Sequence, residues 1–402
     1  MKDEINAMHN NNAWTLCDLP PGRKCISTKW VFKIKRDGNN KFERFRACIV
    51  ARRFSQVFGI NFDKTYAPVV RIDTVRHLFA VRAFYNLHIL HADAKTAFIN
   101  GNSDVALYIQ QPEGFINPRF PHKVLCLNKS LHGLKQAPRI WYLLLCSRIM
   151  EYGFVPCESD PCIHFSPERH MIIAVYVDDI LIFGDNSDQC VEVYTYLAQQ
   201  FRLNNLEAPT TFLGLNISRD WNQHTITIDH TGYIDHLLQQ FNMLNAVPTK
   251  TPLNPTLPLQ KRQHHEKPAD SELYQSITGS LNHLAVYSRP DIPFTVSKLS
   301  QYNKDPSNTH LKAAHHVLRY IKGTRKYSIM YGGTRSAILI FNGYSDASHG
   351  GDFDDGKSTT GWVFMINNGP VSWSSHKQST VAISTMEVEY MALSEAGREA
   401  IA

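Results

Sequence analysis

The sequence predicts an α/β (α+β) chain in which covered β-strands alternate with amphipathic helices. The first observation is the run Met171–Gly184, which is apolar except for two adjacent aspartates and is typical of two buried strands joined by a tight turn. The second is the stretch 194–201, where apolar side chains recur at helical spacing. The third is the strand-like texture from Ser336 onward, which indicates a separate sheet.

The N-terminal part is predicted to form a basic two-stranded flap. Ile26–Lys35 and Arg44–Val57 have the character of strands, and Asp37-Gly38 between them is a hairpin turn signal. The lysines and arginines of these strands suit contact with phosphates. A solvated, charged hairpin accounts for the same residues equally well, so the flap alone does not decide between the two interpretations.

The next predicted elements end in polar residues. An amphipathic helix over 74–84 precedes a short apolar strand that ends at Asp93. The loop Ser130–Trp141 contains Gly133 and Pro138 and opens a helix predicted over 140–152. Taken singly, an aspartate after a strand and a polar loop before a helix are also ordinary structural features.

The second half is predicted to contain further strands, helices and one linker. Strands are predicted over 211–217 and 225–228, and a helix over 234–241. The proline-rich stretch 246–271 is predicted to be a linker. Helices are predicted over 273–288 and 310–322. After the C-terminal strands, a last helix is predicted to begin at Ser384 with Glu387 completing a capping box.

The composition is that of a soluble globular chain. Its 402 residues are 43% hydrophobic and 19% charged, and they suffice for about two to three domains. A net charge of +6 is compatible with a polyanionic partner. The eight cysteines include no C-x-x-C pair, which argues for free thiols in a reducing compartment and against a zinc site. No apolar run reaches the ~18 residues of a membrane-spanning helix, and the polar first residues carry no secretory h-region, so no membrane partner is expected.

Asp178 and Asp179 lie where the two buried strands of the run 171–184 meet. Two adjacent carboxylates repel each other, and partial desolvation increases the repulsion. A divalent cation would relieve it. The alternative at this point is a solvated hairpin turn that happens to contain two aspartates.

Taken together, a collinear set of motifs resembles the reverse transcriptase of copia-type long-terminal-repeat retrotransposons. The motifs run from about Trp14 to Leu393, nearly the whole chain. In the first half they are KWVFK, YAPVVR, DAKTAFING, QPEGF, SLHGLKQAPRIW, YVDDIL and FLG. In the second half they are RPDI, LRYIKGT, GYSDAS, STTGW, SWSSHKQ and EVEYMAL. Each motif is weak by itself, and their joint order carries the resemblance.

This resemblance implies a right-hand polymerase fold of fingers, palm and thumb over 14–245. A linker and connection segment over 246–335 and a truncated ribonuclease H-like domain over 336–402 would follow. The implied function is an RNA-directed DNA polymerase that transfers deoxynucleotides (dNTPs) onto a primer paired with an RNA or DNA template. For an active element, the implied location is the cytoplasm, inside a virus-like particle. The oligomeric state stays open.

The resemblance also implies a two-metal site that binds two Mg²⁺ (or Mn²⁺) ions. Asp93 and Asp178 would supply its carboxylates, and Asp179 would be a supporting ligand. Phe98 would be the aromatic gate that favours deoxynucleotides, with an ordinary core phenylalanine as the alternative. The turn Phe212-Leu213-Gly214 resembles the one that holds the primer end.

The resemblance assigns further residues to the incoming nucleotide. Gln136, flanked by Lys135 and Arg139, would border it. The flap residues Lys35, Arg36 and Arg46 are candidates for binding its triphosphate.

In the ribonuclease H-like part, Asp346 and Glu389 match two of the nuclease carboxylates. The three aspartates 352, 354 and 355 are poor substitutes for the remaining two, so little or no nuclease activity is expected. Departures from the family pattern include Arg53, where glycine is usual, and His132, where tyrosine is usual. They leave open a decayed, non-catalytic remnant that at most binds nucleic acid. An unrelated two-metal phosphohydrolase is a weaker third possibility.

Overall fold

The computed structural model of the chain describes residues 1–36, 42–254, 258–333 and 338–401. The predicted Asp37-Gly38 turn lies outside these residues. The helices are α1 (Lys2–Asn10), α2 (Ile72–Tyr85), α3 (Ala97–Asn100), α4 (Ala137–Glu151), α5 (Ser187–Gln200), α6 (Thr231–Gln240), α7 (Ser271–Tyr287), α8 (Pro293–Ser300), α9 (Asn308–Gly323) and α10 (Thr385–Ile401).

The strands are spread over the whole chain. They are β1 (Trp14–Cys17), β2 (Thr28–Arg36), β3 (Phe42–Ala51), β4 (His88–Ala94), β5 (Tyr108–Ile109), β6 (Val124–Leu127), β7 (Val155–Pro156), β8 (Ile163–Ser166), β9 (Met171–Tyr176), β10 (Asp179–Gly184), β11 (Leu203–Glu207), β12 (Thr211–Phe212), β13 (Leu215–Asp220), β14 (Thr225–Asp229), β15 (Ile329–Tyr331), β16 (Phe341–Ser348), β17 (Thr359–Ile366) and β18 (Gly369–Lys377).

Contacts divide the chain into two compact units. The first contains Met1–Val70 and Ile89–Glu207, and the second contains Arg71–His88 and Ala208–Ala402. These units differ from the predicted segments 14–245, 246–335 and 336–402. The reason is that α2 packs against β14, β15 and the C-terminal strands β17 and β18, and that β15 packs against β18. The buried Arg76 of α2, for example, donates a 2.7 Å hydrogen bond to the carbonyl oxygen of Val371 in β18.

The first unit is organised around a six-stranded sheet with the order β11-β4-β10-β9-β8-β7. Helices α4 and α5 cover one face of this sheet with an apolar core that includes Trp141 and Leu197. The strands β9 and β10 form the predicted antiparallel hairpin, in which Tyr176 lies opposite Asp179. This register leaves Val177 and Asp178 as a two-residue turn.

The predicted flap is an antiparallel pair, β2 and β3, in which Lys33 lies opposite Arg46. Strand β3 ends at Ala51 rather than at Val57, because Arg53–Ser55 turns into a short 3₁₀ helix. A helix that the sequence analysis missed, α1, packs beside β3, where Glu4 accepts a 3.3 Å hydrogen bond from the backbone N–H of Ile49.

The second unit contains two sheets and a helical layer. The sheets have the orders β12-β13-β14-β15 and β16-β17-β18. The buried faces of α6, α7, α8 and α9 form a separate apolar core, which includes Ile234, Leu281 and Leu318. The described residues of the predicted linker 246–271 contain no helix or strand before α7 begins at Ser271. None of the helices in the described ranges is long and apolar enough to cross a membrane.

Candidate functional site

The tip of the β9–β10 hairpin has both of its turn carbonyls paired. The indole Nε1 of Trp141 donates a hydrogen bond of 2.6 Å to the carbonyl oxygen of Val177. The backbone N–H of Ala94, on the adjacent strand β4, donates a hydrogen bond of 2.8 Å to the carbonyl oxygen of Asp178. Because both acceptors are satisfied, the backbone beneath Asp178 is held in one arrangement.

Asp93 and Asp178 line the same cleft, which has a volume of about 540 Å³. Asp93 lies near the end of β4, on the sheet face opposite to Ala92 and Ala94, whose side chains are buried in the core. Asp178 reaches the cleft from the adjacent hairpin turn. The structure therefore brings together two carboxylates that are far apart in the sequence.

The charges around Asp178 favour a cationic occupant. Partial burial raises the pKa of Asp178, and the negative charges of Asp179 and Asp93 raise it further, whereas the guanidinium of Arg46 has the opposite effect. Repulsion between carboxylates is relieved when a cation binds beside them.

Asp179 has a different environment from the other two aspartates. Its Oδ1 lies 2.6 Å from Nε2 of His91 on β4. Within the described ranges, no three His, Cys, Asp or Glu side chains are grouped closely enough to hold a metal ion by themselves. Mg²⁺ in phosphoryl-transfer sites is commonly bound through one or two carboxylates plus substrate phosphates. The oxygen donors of Asp93 and Asp178 therefore fit Mg²⁺ or Mn²⁺.

Two residues of the cleft wall have strained backbones. Thr96 has a φ of 53° and Val177 has a φ of 55°, a region that β-branched residues rarely adopt. They are the only β-branched residues at positive φ in the part of the chain that the structure describes, and both line this cleft. Since such strain concentrates at functional sites, it points to the same cleft as the carboxylates.

The ring of Phe98 also lines this cleft. It meets the ring of His132 edge-on, with centroids 4.8 Å apart and an interplanar angle of 77°. Burial, together with the positive charges of Arg46 and Lys33, lowers the pKa of His132 to about 4. His132 is therefore neutral at physiological pH and supports Phe98 as an uncharged ring.

Arg46 lines the cleft from the flap strand β3. Of the three candidates for binding the triphosphate, Arg46 is the one whose side chain the structure describes. The side chains of Lys35 and Arg36 lie outside the description, so their assignment stays a prediction.

The structure places the three predicted nucleotide residues of the loop before α4, Lys135, Gln136 and Arg139, outside the lining of the cleft that contains Asp93. Gln136 is fully buried: its amide oxygen accepts a 3.0 Å hydrogen bond from Gln56, and its amide nitrogen donates to the carbonyl oxygen of Asn61 at 2.9 Å. Its second N–H points at Asp104, 3.4 Å away. The amide oxygen and nitrogen of Gln136 thus both make contacts within the protein, and its role at a nucleotide stays a prediction.

The two cations beside Gln136 are engaged in a similar way. The Lys135 ammonium lies 4.4 Å from the centre of the Phe62 ring, and an Arg139 Nη donates to the carbonyl oxygen of Tyr66 at 3.2 Å. Neither residue lines the cleft with Asp93. The loop therefore contacts the segment 56–66, and the assignment of Lys135 and Arg139 to the incoming nucleotide stays a prediction.

In the second unit, Phe212-Leu213-Gly214 is the predicted backbone turn. Phe212 pairs with Leu215, and the two central residues have φ values of 51° and 82°. Two successive left-handed residues define a tight hairpin turn of the I′ type. The role of this turn at a primer end stays a prediction.

The predicted nuclease residues Asp346 and Glu389 lie on different sides of the C-terminal sheet. Asp346 is in register with Gly361 and Ser375, and it lines a cleft with Phe294 of α8.

Helix α10, which carries the exposed Glu389, packs on the opposite face, where His376 contacts Glu395 at 2.6 Å. Glu389 is not among the residues that line the cleft of Asp346.

The neighbouring acidic loop is neutralised. Asp352 is buried and lies 2.8 Å from the Lys298 ammonium and 3.0 Å from that of Lys377. Lys377 also pairs with Asp355 at 2.9 Å, and Asp354 accepts the backbone N–H of Lys261 at 2.9 Å. These aspartates therefore have structural partners.

Sequence reasoning missed Trp141 and His91 as parts of the site. Trp141 stands at the end of the loop motif, but its hydrogen bond to Val177 depends on the packing of α4 against the hairpin. His91 precedes Asp93 by two residues on a strand, so side-chain alternation could have placed both on one face. Its partner Asp179 is not visible in the local pattern.

The fold and the site together define a class. The chain is similar to a solved foamy viral protease-reverse transcriptase in complex with double-stranded DNA, with a TM-score of 0.52 and 13% identity over 100% of this chain and 60% of that one. A second structure, of a foamy viral protease-reverse transcriptase with an RNA/DNA hybrid, gives a TM-score of 0.50 at 12% identity, over 99% of this chain and 45% of that one. A mixed helix-and-strand fold of this kind, with carboxylates from adjacent strands facing a cleft, is that of an α+β polymerase.

A family model described as "Reverse transcriptase (RNA-dependent DNA polymerase)" matches residues 11–255. The chain belongs to the reverse transcriptase family found in the Pol polyproteins of copia-type transposons. It is 37% identical to the retrovirus-related Pol polyprotein of transposon TNT 1-94 from Nicotiana tabacum, over 100% of this chain and 31% of that polyprotein. It is 34% identical to the Pol polyprotein of transposon RE1 from Arabidopsis thaliana, over 99% of this chain and 27% of that protein. The chain thus spans less than a third of these relatives.

A shorter relative is matched along nearly its whole length. A putative transposon Ty5-1 protein of Saccharomyces cerevisiae is 35% identical to the chain over 75% of this chain and 98% of that protein. The predicted family and the predicted α+β polymerase fold are therefore confirmed.

Proposed function

We propose that the chain is an RNA-directed DNA polymerase that uses divalent metal ions and extends a primer with dNTPs on an RNA or DNA template. The observation that carries the proposal is the shared cleft of Asp93 and Asp178, bordered by Phe98, Arg46 and two strained backbone positions. Reverse transcriptases of this family generally use divalent metal ions.

In the proposed reaction, the 3′-hydroxyl of the primer attacks the α-phosphorus of the dNTP, and pyrophosphate leaves. Two bound metal ions would stabilise the attacking and leaving oxygens. Asp93 and Asp178 hold their carboxylates at the cleft wall, where both can bind such ions. Trp141 and Ala94 keep the turn that carries Asp178 from moving, which matters because positioning supplies most of the catalysis in phosphoryl transfer.

The remaining cleft residues act on the nucleotide. Arg46 contributes a positive charge for the triphosphate. Phe98, supported by the neutral ring of His132, presents its ring to the sugar and disfavours a 2′-hydroxyl. An active element would carry out this reaction in a cytoplasmic virus-like particle.

Primer extension on an RNA template with Mg²⁺ or Mn²⁺ tests the proposal. The unaltered chain should extend the primer, a metal chelator should stop it, and Asp178→Asn should abolish extension while template binding persists. Asp185 is an exposed aspartate outside the cleft, so Asp185→Asn is the matched control and should extend the primer normally. A chain that binds template–primer but adds no nucleotide with either metal is the non-catalytic remnant instead.

A further inference from the structure

His91 and Asp179 form a close contact on the cleft side of the central sheet. Nε2 of His91 lies 2.6 Å from Oδ1 of Asp179, and their side chains are 14% and 29% exposed. They come from β4 and β10, which are neighbours in the sheet. Because His91 precedes Asp93 by two residues on the same strand, both side chains project from the same face.

The chemistry of this pair determines which residue donates the hydrogen bond. An ionised carboxylate only accepts hydrogen bonds, so Nε2 of His91 carries the proton. Hydrogen bonds from a nitrogen to a carboxylate are among the stronger ones in proteins. The contact therefore ties one oxygen of Asp179 to strand β4.

The three aspartates differ in whether they line the cleft. Asp93 and Asp178 are among the residues that line it, and Asp179 is not. Asp179 nevertheless lies near enough for its negative charge to raise the pKa of Asp178. The charge of Asp179 therefore acts on Asp178, although Asp179 does not line the cleft.

We infer that His91 is a positioning residue that fixes Asp179, so that Asp93 and Asp178 alone contact the metal ions directly. This inference rests on the proposed polymerase function. Asp179 then supplies negative charge and shapes the start of β10 without coordinating a metal ion. In a metal site, residues that orient the ligands affect activity strongly without being ligands themselves.

The first test measures metal binding without catalysis. The affinity of the full chain for Mn²⁺, in the presence of a primer–template, is read from the paramagnetic resonance signal of free Mn²⁺. Asp179→Asn should bind within about threefold of the unaltered chain, whereas Asp93→Asn should bind at least about tenfold more weakly. Equal weakening by both substitutions overturns the inference alone. Absence of Mn²⁺ binding by the unaltered chain overturns the proposed function, and the inference with it.

The second test separates positioning from bulk structure. His91→Ala removes the donor and should lower kcat for nucleotide incorporation by about tenfold, with KM for the dNTP changed by less than about twofold. His91→Gln, whose amide can still donate to Asp179, should restore kcat to within about threefold. The exposed His122→Ala is the control and should be unchanged.

A double substitution completes the design. If His91 acts through Asp179, His91→Ala combined with Asp179→Asn should be no slower than the slower single variant. Multiplying effects, or a His91→Gln variant as slow as His91→Ala, would show that His91 acts by another route and would overturn the inference.

Discussion

The central sheet of the first unit and the C-terminal sheet of the second unit each carry acidic residues that match the family pattern, but the two sheets arrange them differently. In the first, Asp93 and Asp178 come from adjacent parts of one sheet and face one cleft. In the second, Asp346 faces α8, while Glu389 is on the helix that packs against the other face. A motif therefore supplies residue types, and the register and face of the strands decide whether they form a site.

The two regions also differ in the charges that surround their carboxylates. Partial burial raises the pKa of Asp178, and the negative charges of two further carboxylates, Asp179 and Asp93, raise it more. Around Asp352, burial alone would raise the pKa, but hydrogen bonds from Lys298 and Lys377 hold it well below the usual range. The clustered carboxylates around Asp178 attract a metal cation, whereas the carboxylate of Asp352 is already paired with two lysine side chains.

The largest expected effect compares one aspartate from each sheet. Asp93→Asn should slow single-nucleotide incorporation by at least about 100-fold, because it removes transition-state charge stabilisation. Asp346→Asn should change the rate by less than about twofold, since that residue is not among those that line the cleft of Asp93. Both rates are measured on the same primer–template. A comparable loss in both variants would contradict the distinction between the two sheets.

The acidic loop of the second unit should be a determinant of stability. Asp352→Asn leaves the largely buried Lys298 without its charged partner and should lower the free energy of unfolding of that unit by about 3 kcal/mol. Urea denaturation measures this change. The partly exposed Asp235, paired with Arg325, is the control, and its replacement by Asn should cost about 0.5 kcal/mol.

The pairing of Asp352 with its two lysine partners should also make the stability of the second unit depend on pH. Because the pKa of Asp352 is lowered on folding, its contribution to stability is complete above its unfolded pKa of about 3.9 and is lost as the pH falls below it. Asp352→Asn should flatten the decline in stability below about pH 4. An unchanged acid profile would show that Asp352 does not carry this contribution.

Gly133 should be intolerant of a side chain. It has a φ of 91°, and an added Cβ would lie 2.2 Å from the carbonyl oxygen of Ala51 on the flap strand. Gly133→Ala should lower the unfolding free energy by about 2–3 kcal/mol. Gly59 has a φ of 76° with nothing near its Cβ position, so Gly59→Ala should cost only about 1 kcal/mol of backbone strain. Equal losses would mean that the contact with the flap is unimportant.

The smallest expected effect concerns the sugar. Phe98→Val shortens the side chain at the cleft wall and should raise the ratio of ribonucleotide to deoxynucleotide incorporation by about tenfold. The measurement is competition between matched ribo- and deoxynucleotides. His132→Phe is the companion variant: it keeps a neutral ring beside Phe98 and should preserve the ratio. An unchanged ratio in Phe98→Val would make Phe98 an ordinary wall residue.

The parts of the fold that depend on local pattern could be predicted. The β9–β10 hairpin follows from an apolar run with a tight turn, and helices α7 and α9 follow from apolar spacing. Helix α8 was missed because Arg289-Pro290-Asp291 reads as a helix stop, whereas Pro293 then occupies the first turn of a new helix. At Arg53, where glycine is usual, the backbone is not at positive φ, so this departure requires no special conformation.

The parts of the site that depend on distant partners could not be predicted. Gln136 is buried by Gln56 and Asn61, which lie 80 and 75 residues away in the chain. The pairing of His91 with Asp179 spans 88 residues. No local signal distinguishes an amide that faces a nucleotide from one that is buried, so the motif located the loop without showing which way its side chains point.

Metal-directed cleavage of the backbone is the most direct test of whether metal ions bind at Asp93 and Asp178. Fe²⁺ bound in place of Mg²⁺, with ascorbate and peroxide, cuts the chain near the metal, and mass spectrometry locates the cuts. We expect cuts around residues 92–94 and 177–179, suppressed by excess Mg²⁺, and none around 346 or 389. Cuts near Asp346 or Glu389, or their absence at Asp93 and Asp178, would contradict this expectation.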